Sequence, residues 1–226
     1  MNVRILGFCS ALCLAIVATD AKADFITNGG FETPPIAPAP FSTFGVGSTG
    51  ITGWTVISGT NDAGGGSVDL INGYQPAHSG AQAVDLDGTR SPSSSVSAGG
   101  ISQTLNGLTL GQTYVVDFFY TNNYFAPFAS ANVTIDGTTL ASITHAGATQ
   151  TSTAYTEGTY RFTANATSEA LSFISTDAAA SQSGIIIDDV SVNAASAAVP
   201  EPASLVMLGL GLAAAGTLTR FGRRTA

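Results

Sequence analysis

Between residues 24 and 199, apolar and polar positions alternate with a period of two, and no stretch sustains a helical period. In Tyr114-Val115-Val116-Asp117-Phe118-Phe119-Tyr120 one face collects Tyr114, Val116, Phe118 and Tyr120, while Asp117 lies on the other. That is the pattern of a strand with one face in a core. Residues 131–135 run into Asp136-Gly137, and 138–144 resume the alternation. The dipeptide tolerates the positive φ of a two-residue turn, so a hairpin is predicted there. Segments 54–57, 68–71, 81–86, 101–105 and 185–192, with Tyr160/Phe162 and Leu171/Phe173, bring the total to roughly ten short strands. The spacing predicts an all-β fold, an antiparallel β-sandwich of jelly-roll type. Two stretches rich in Pro, Gly, Ser and Thr, 33–53 and 89–100, read as long surface loops.

The two ends depart from this pattern. Arg4, an apolar run over 5–18 and Ala21-Lys22-Ala23 form the positive, apolar and small-residue parts of a secretory signal peptide, placed at 1–23. The β-domain is then 24–199, and the tail is 200–226. Both cysteines, Cys9 and Cys13, fall inside the signal segment. The chain after it therefore has no thiol, which excludes disulfides, cysteine nucleophiles and thiolate metal sites. The tail opens on Pro200-Glu201-Pro202, continues with 17 apolar or small residues over 203–219, and ends with Arg220, Arg223 and Arg224. Such a run is near the lower limit for spanning a bilayer, and the arginines would hold its end on the cytoplasmic side. The predicted organisation is a sandwich flanked by an N-terminal signal helix and a C-terminal hydrophobic helix.

That tail resembles the PEP-CTERM sorting signal, with its Pro-Glu-Pro motif, short hydrophobic helix and basic end in order. The resemblance implies an exosortase-type sorting protease as partner, and attachment to the inner membrane through the tail before processing. It also implies a cell-envelope or extracellular location in a setting of exopolysaccharide and biofilm.

Charge narrows the ligand classes. Segment 24–199 holds 13 Asp and Glu against Arg90 and Arg161, a formal charge of −11. Nothing basic is available to neutralise phosphates, so nucleic acid is excluded as a partner. An acidic surface suits solubility outside the cell and oxygen-rich cation sites.

Across the domain, several motifs occur in order: Asn28-Gly29-Gly30-Phe31-Glu32, Gly53-Trp54-Thr55-Val56, Gly66-Ser67-Val68-Asp69, Ala83-Val84-Asp85-Leu86-Asp87-Gly88, Gly100-Ile101-Ser102-Gln103-Thr104, Gly111-Gln112-Thr113-Tyr114 and Ile187-Asp188-Asp189-Val190. The set resembles the choice-of-anchor C domain, itself similar to the galactose-binding-like sandwiches of carbohydrate-binding modules. The resemblance implies a surface or matrix module without catalysis, and a structural Ca2+ near the chain ends. The matching ligands are Glu32 and the pair Asp188 and Asp189. Alternation from Val190 and Val192 turns Asp188 inward, which favours it as the ligand. Hard cations want several oxygens, and adjacent carboxylates are costly unless neutralised.

For extracellular polysaccharide, rings that can stack on sugar CH faces are the candidates: Trp54, Tyr74, Tyr124, Phe125 and Phe128. Trp54 opens a strand and reads as core. Asn122-Asn123-Tyr124-Phe125 leaves a strongly alternating strand and places two amides and two rings in one loop. Exposed apolar residues in a loop mark contact surfaces. Catalysis has little support, with two histidines, His78 and His145, and no Gly-x-Ser-x-Gly elbow. Asp85 and Asp87 share a strand face by the period of two, a pairing of carboxylates that glycoside chemistry could use. The function expected is an exported, non-catalytic module that associates with polysaccharide; the alternative is a structural or adhesive protein acting through protein contacts.

Overall fold

The computed structural model describes residues 24–61, 65–89 and 97–195. Eleven strands follow in chain order: β1 (Phe41–Gly45), β2 (Thr55–Ser58), β3 (Ser67–Asn72), β4 (Gln82–Asp85), β5 (Gly99–Asn106), β6 (Thr113–Asn122), β7 (Ala129–Ile135), β8 (Thr138–His145), β9 (Thr156–Thr163), β10 (Ser168–Ser175) and β11 (Ile185–Ala194). They form a six-stranded sheet, β1-β3-β4-β11-β6-β9, over a five-stranded sheet, β2-β5-β10-β7-β8. All pairings are antiparallel. This is the sandwich that the alternation predicts. The hairpin at Asp136-Gly137 is also present, both residues having the positive φ (46° and 76°) of a primed turn.

The inner faces of both sheets meet in one core. Val68 and Leu70 of β3, Val116 and Phe118 of β6, and Ile185 and Ile187 of β11 face Val56, Ile101, Val133 and Phe173 of the other sheet. Trp54 lies in this core between Phe31 and Phe173, with ring centroids 5.4 and 6.3 Å away, and its indole N–H donates to the Asn28 carbonyl at 3.1 Å. The start of the domain is sewn to its end. Phe25 N donates to the Val192 carbonyl at 2.9 Å, and Val190 N donates to the Gly29 carbonyl at 3.0 Å.

Two local features differ from the sequence reading. The stretch 33–53 is not all loop: β1 pairs with β3 along the sheet edge, from Phe41 opposite Ile71 to Gly45 opposite Ser67. A five-residue edge strand that follows Pro40 and ends on Gly45 gives too short a pattern to stand out. The second difference is in β11, where the register shifts between Asp188 and Ser191 and Asp189 adopts φ 50°. This bulge changes the phase of the strand. Ile185 and Ile187 precede it and Val190 and Val192 follow it, all in the core. Asp188 is therefore buried on the outer face of the six-stranded sheet, with Ile186, and not between the sheets.

The signal segment 1–23 and the tail, with Pro200, Glu201, Pro202, Arg220, Arg223 and Arg224, lie outside the described residues, as do the helices expected there. Among the described residues no helix is long and apolar enough to cross a membrane.

Candidate functional site

The outer face of the six-stranded sheet carries apolar side chains from Ile71, Ala83 and Ile186, and exposing these would be costly. The β3–β4 loop, 73–81, folds back over them with Tyr74 and Ala77, and Tyr155 closes the far side. The Tyr155 hydroxyl donates to the Pro76 carbonyl at 3.2 Å, and His78 stacks on Phe119 with centroids 3.6 Å apart.

Three carboxylates hold this loop. Asp188 Oδ2 accepts from His78 N at 2.8 Å and Ser79 N at 3.1 Å, and its Oδ1 accepts from Asp189 N at 2.7 Å. Asp189 meets His78 Nδ1 at 2.6 Å and accepts from the Ser79 hydroxyl at 2.6 Å. Glu32 Oε1 accepts from Ala81 N at 2.7 Å and Gln82 N at 2.9 Å. The three residues singled out for calcium thus do converge, but on one loop, and what faces them are N–H and O–H donors. The N–H groups among them do not fit a hard cation, which needs further oxygens. Among the described residues, no three His, Cys, Asp or Glu side chains form a metal-holding group. Burial drives Asp188 up to about 7; the charge of Asp189 adds to this, and the N–H bonds from Ser79, Asp189 and His78 oppose it.

At its other end the same loop builds an aromatic surface. Gln75 is buried and bridges to the β6–β7 loop: its Nε2 donates to the Asn122 carbonyl and its Oε1 accepts from Tyr124 N, both at 3.0 Å. Asn123 Nδ2 donates to Asp85 Oδ2 at 2.7 Å, and its Oδ1 accepts from Phe125 N at 3.0 Å. Asn122 Nδ2 donates to the Ala126 carbonyl at 2.7 Å, and its Oδ1 accepts from Ala148 N at 3.1 Å. With both loops pinned, Tyr74 lies 5.3 Å from Tyr124 and 6.0 Å from Phe125, and those two rings are 4.2 Å apart. Phe41 of β1 joins the edge of Tyr74 at 6.2 Å. Phe125 is 65% exposed and Phe41 36%. Desolvation raises the Tyr74 hydroxyl to about 12, so it stays neutral.

Of the residues proposed for sugar contact, the structure brings Tyr124 and Phe125 to the surface together. It does not present Asn122 and Asn123, which are buried and spend their amides on the loop. Phe128 is exposed but stacks on none of these rings. Phe41 was hidden from the sequence reading because its strand was. Asp85 and Asp87 are both sealed from solvent, so a substrate has no access to that carboxylate pair.

Residues 24–193 match the family model described as protein of unknown function (DUF642), and residues 198–224 match the PEP-CTERM protein-sorting motif. Over 179 residues the chain is 28% identical to halomucin of Haloquadratum walsbyi, covering 76% of this chain and 2% of that much longer protein. Among solved structures it is similar to the CBM22-1 xylan-binding domain of Paenibacillus barcinonensis Xyn10C (18% identity, 70% of this chain, 94% of that chain, TM-score 0.46). It is also similar to a family 35 carbohydrate-binding module of Clostridium thermocellum (17% identity, 68% and 99%, TM-score 0.42).

Proposed function

The chain belongs to the family described as protein of unknown function DUF642 and carries a PEP-CTERM protein-sorting motif; from that premise we propose that it is a non-catalytic module of the cell envelope that binds neutral polysaccharide on the Tyr74–Tyr124–Phe125 surface. The observation that carries this reading is the set of rings on two mutually pinned loops, extended by Phe41. Rings held in place before binding lose little conformational freedom when a sugar stacks on them. The buried amides and Gln75 supply that rigidity.

Charge points to the kind of glycan. A domain at −11 repels uronic-acid or sulfated chains, whereas neutral sugars escape this cost. The outer face of the five-stranded sheet has a groove of about 400 Å3 lined by residues such as Thr55, Ser102 and Thr104, and it offers no ring for stacking. The sorting motif supports an exosortase-type partner and a location where such polysaccharide is met.

Pulldown of the full chain, kept in mild detergent, on a panel of neutral and anionic polysaccharides tests the reading. Retention on neutral chains, lost in Phe125→Ala, is expected. Retention on none, with self-association instead, would favour an adhesive protein acting through protein contacts.

A further inference from the structure

At the opposite end of β4 from the clamped loop, Asp87 is 0% exposed, and neither of its carboxylate oxygens has a hydrogen-bond partner. It pairs across an isolated bridge with Ala98, and the β10–β11 loop passes beside it. From that loop come the Asp177 carboxyl and the Ser181 hydroxyl, and from the end of β10 the buried Ser175 hydroxyl. Asp177 Oδ2 is also buried and unpartnered. Its other oxygen accepts from Ser130 N at 3.0 Å and the Ser130 hydroxyl at 2.7 Å, which fixes the carboxyl in place.

Three carboxylate oxygens buried without a donor in bonding geometry are expensive, and the side chains that reach Asp87 are the hydroxyls of Ser175 and Ser181 and the carboxyl of Asp177. Asp85, two residues back, spends its oxygens on Asp87 N, Gly184 N and Asn123. Ser175 Oγ accepts from Asp177 N at 3.2 Å and the Ser181 hydroxyl donates to the Ser183 carbonyl at 3.3 Å, and both hydroxyl oxygens lie beside Asp87. Arg161, the one arginine among the described residues, sits exposed on β9, at the far edge of the sheet. The contrast with Glu32, Asp188 and Asp189 is chemical. There main-chain N–H groups face the carboxylates, whereas here the neighbouring groups are carboxyl and hydroxyl oxygens.

We propose that Asp87 and Asp177, with the hydroxyls of Ser175 and Ser181, form a binding site for a calcium-class divalent cation that ties the end of β4 to the β10–β11 loop. The four side chains offer only oxygen, which selects a hard cation, and two carboxylates match its charge. Calcium accommodates hydroxyl and main-chain oxygens in irregular geometry, whereas magnesium demands a near-ideal octahedron.

The experiment uses the full chain in mild detergent, stripped with chelator, dialysed and titrated with CaCl2 by calorimetry and thermal melting. One ion per chain is expected, and a hundredfold excess over Kd should raise Tm by roughly 5–10 °C. Asp177→Asn, at a half-buried loop position that spares the core, should weaken binding at least tenfold. Asp87→Asn should abolish it and, by removing the unneutralised charge, should melt at least as high as stripped wild type. Three results would each overturn the proposal: no calcium uptake by the folded chain, uptake unchanged in both variants, or uptake lost in Asp188→Asn instead. A stripped protein indifferent to calcium but titrating a proton shared by Asp87 and Asp177 would overturn it equally.

Discussion

Replacing Asp188 with alanine tests whether this carboxylate holds the β3–β4 loop. In the native chain it accepts three backbone N–H groups, from Asp189, His78 and Ser79, at 2.7, 2.8 and 3.1 Å. Truncation orphans all three, at about 1–3 kcal/mol for each donor kept from water. Two terms offset this. His78 and Ser79 lie near solvent, and the buried charge is itself costly, as its rise to about 7 records. A net loss of about 2–4 kcal/mol remains, or roughly 5–15 °C in Tm for a domain of this size. The pH dependence has a definite sign. The folded-state pKa lies above the unfolded value of about 3.9, so the native state binds more protons and its stability falls as pH rises from about 4 to 7. The groups facing Asp188 are Asp189, His78 and Tyr155. The margin of wild type over Asp188→Asn should therefore be larger at pH 5 than at pH 8. Thermal unfolding at both pH values, with hydrogen exchange at the amides of His78 and Ser79, checks this. An unchanged Tm with both amides still protected in Asp188→Ala, or a margin that grows with pH, would refute the reasoning.

Other outcomes follow from the same structure. Gly80 has φ 61°, and a Cβ there would stand 2.2 Å from Glu32 Oε1; Gly80→Ala should cost about 1–2 kcal/mol, read as a lower denaturant midpoint. Trp54→Ala should cost about 3–5 kcal/mol, because the indole fills the core between Phe31 and Phe173 and pairs its N–H. Deleting 200–226 should leave the circular-dichroism spectrum and melting curve of the sandwich intact, since the strands and core of the described residues are closed by Ala194.

Strands with long alternation were legible because sandwich burial imposes a period of two: β6, the β7–β8 hairpin and β10 stand where the pattern put them. β1 was not legible, being short, at an edge and bracketed by turn formers. The bulge at Asp188–Asp189 was not either, since it is a break in the very alternation used to orient Asp188. Tyr124 and Phe125 could be picked out as rings leaving a strand. The burial of Asn122 and Asn123 could not, because it depends on Gln75, His145 and Asp85, each more than 20 positions away. The meeting of Asp87 with Asp177 has the same character: 90 residues separate them, and only the β10–β11 loop brings them together.

The polysaccharide reading is tested most directly by comparing affinities for one neutral polysaccharide across wild type, Tyr124→Ala, Phe125→Ala and Leu110→Ala. Leu110 is 66% exposed and lies on the β5–β6 loop, away from the rings, so it controls for loss of any exposed apolar group. A stacked ring is worth roughly 0.5–1.5 kcal/mol, so each aromatic variant should bind about two- to tenfold more weakly, and Leu110→Ala should bind as wild type does. Equal affinity in all four proteins would contradict the account.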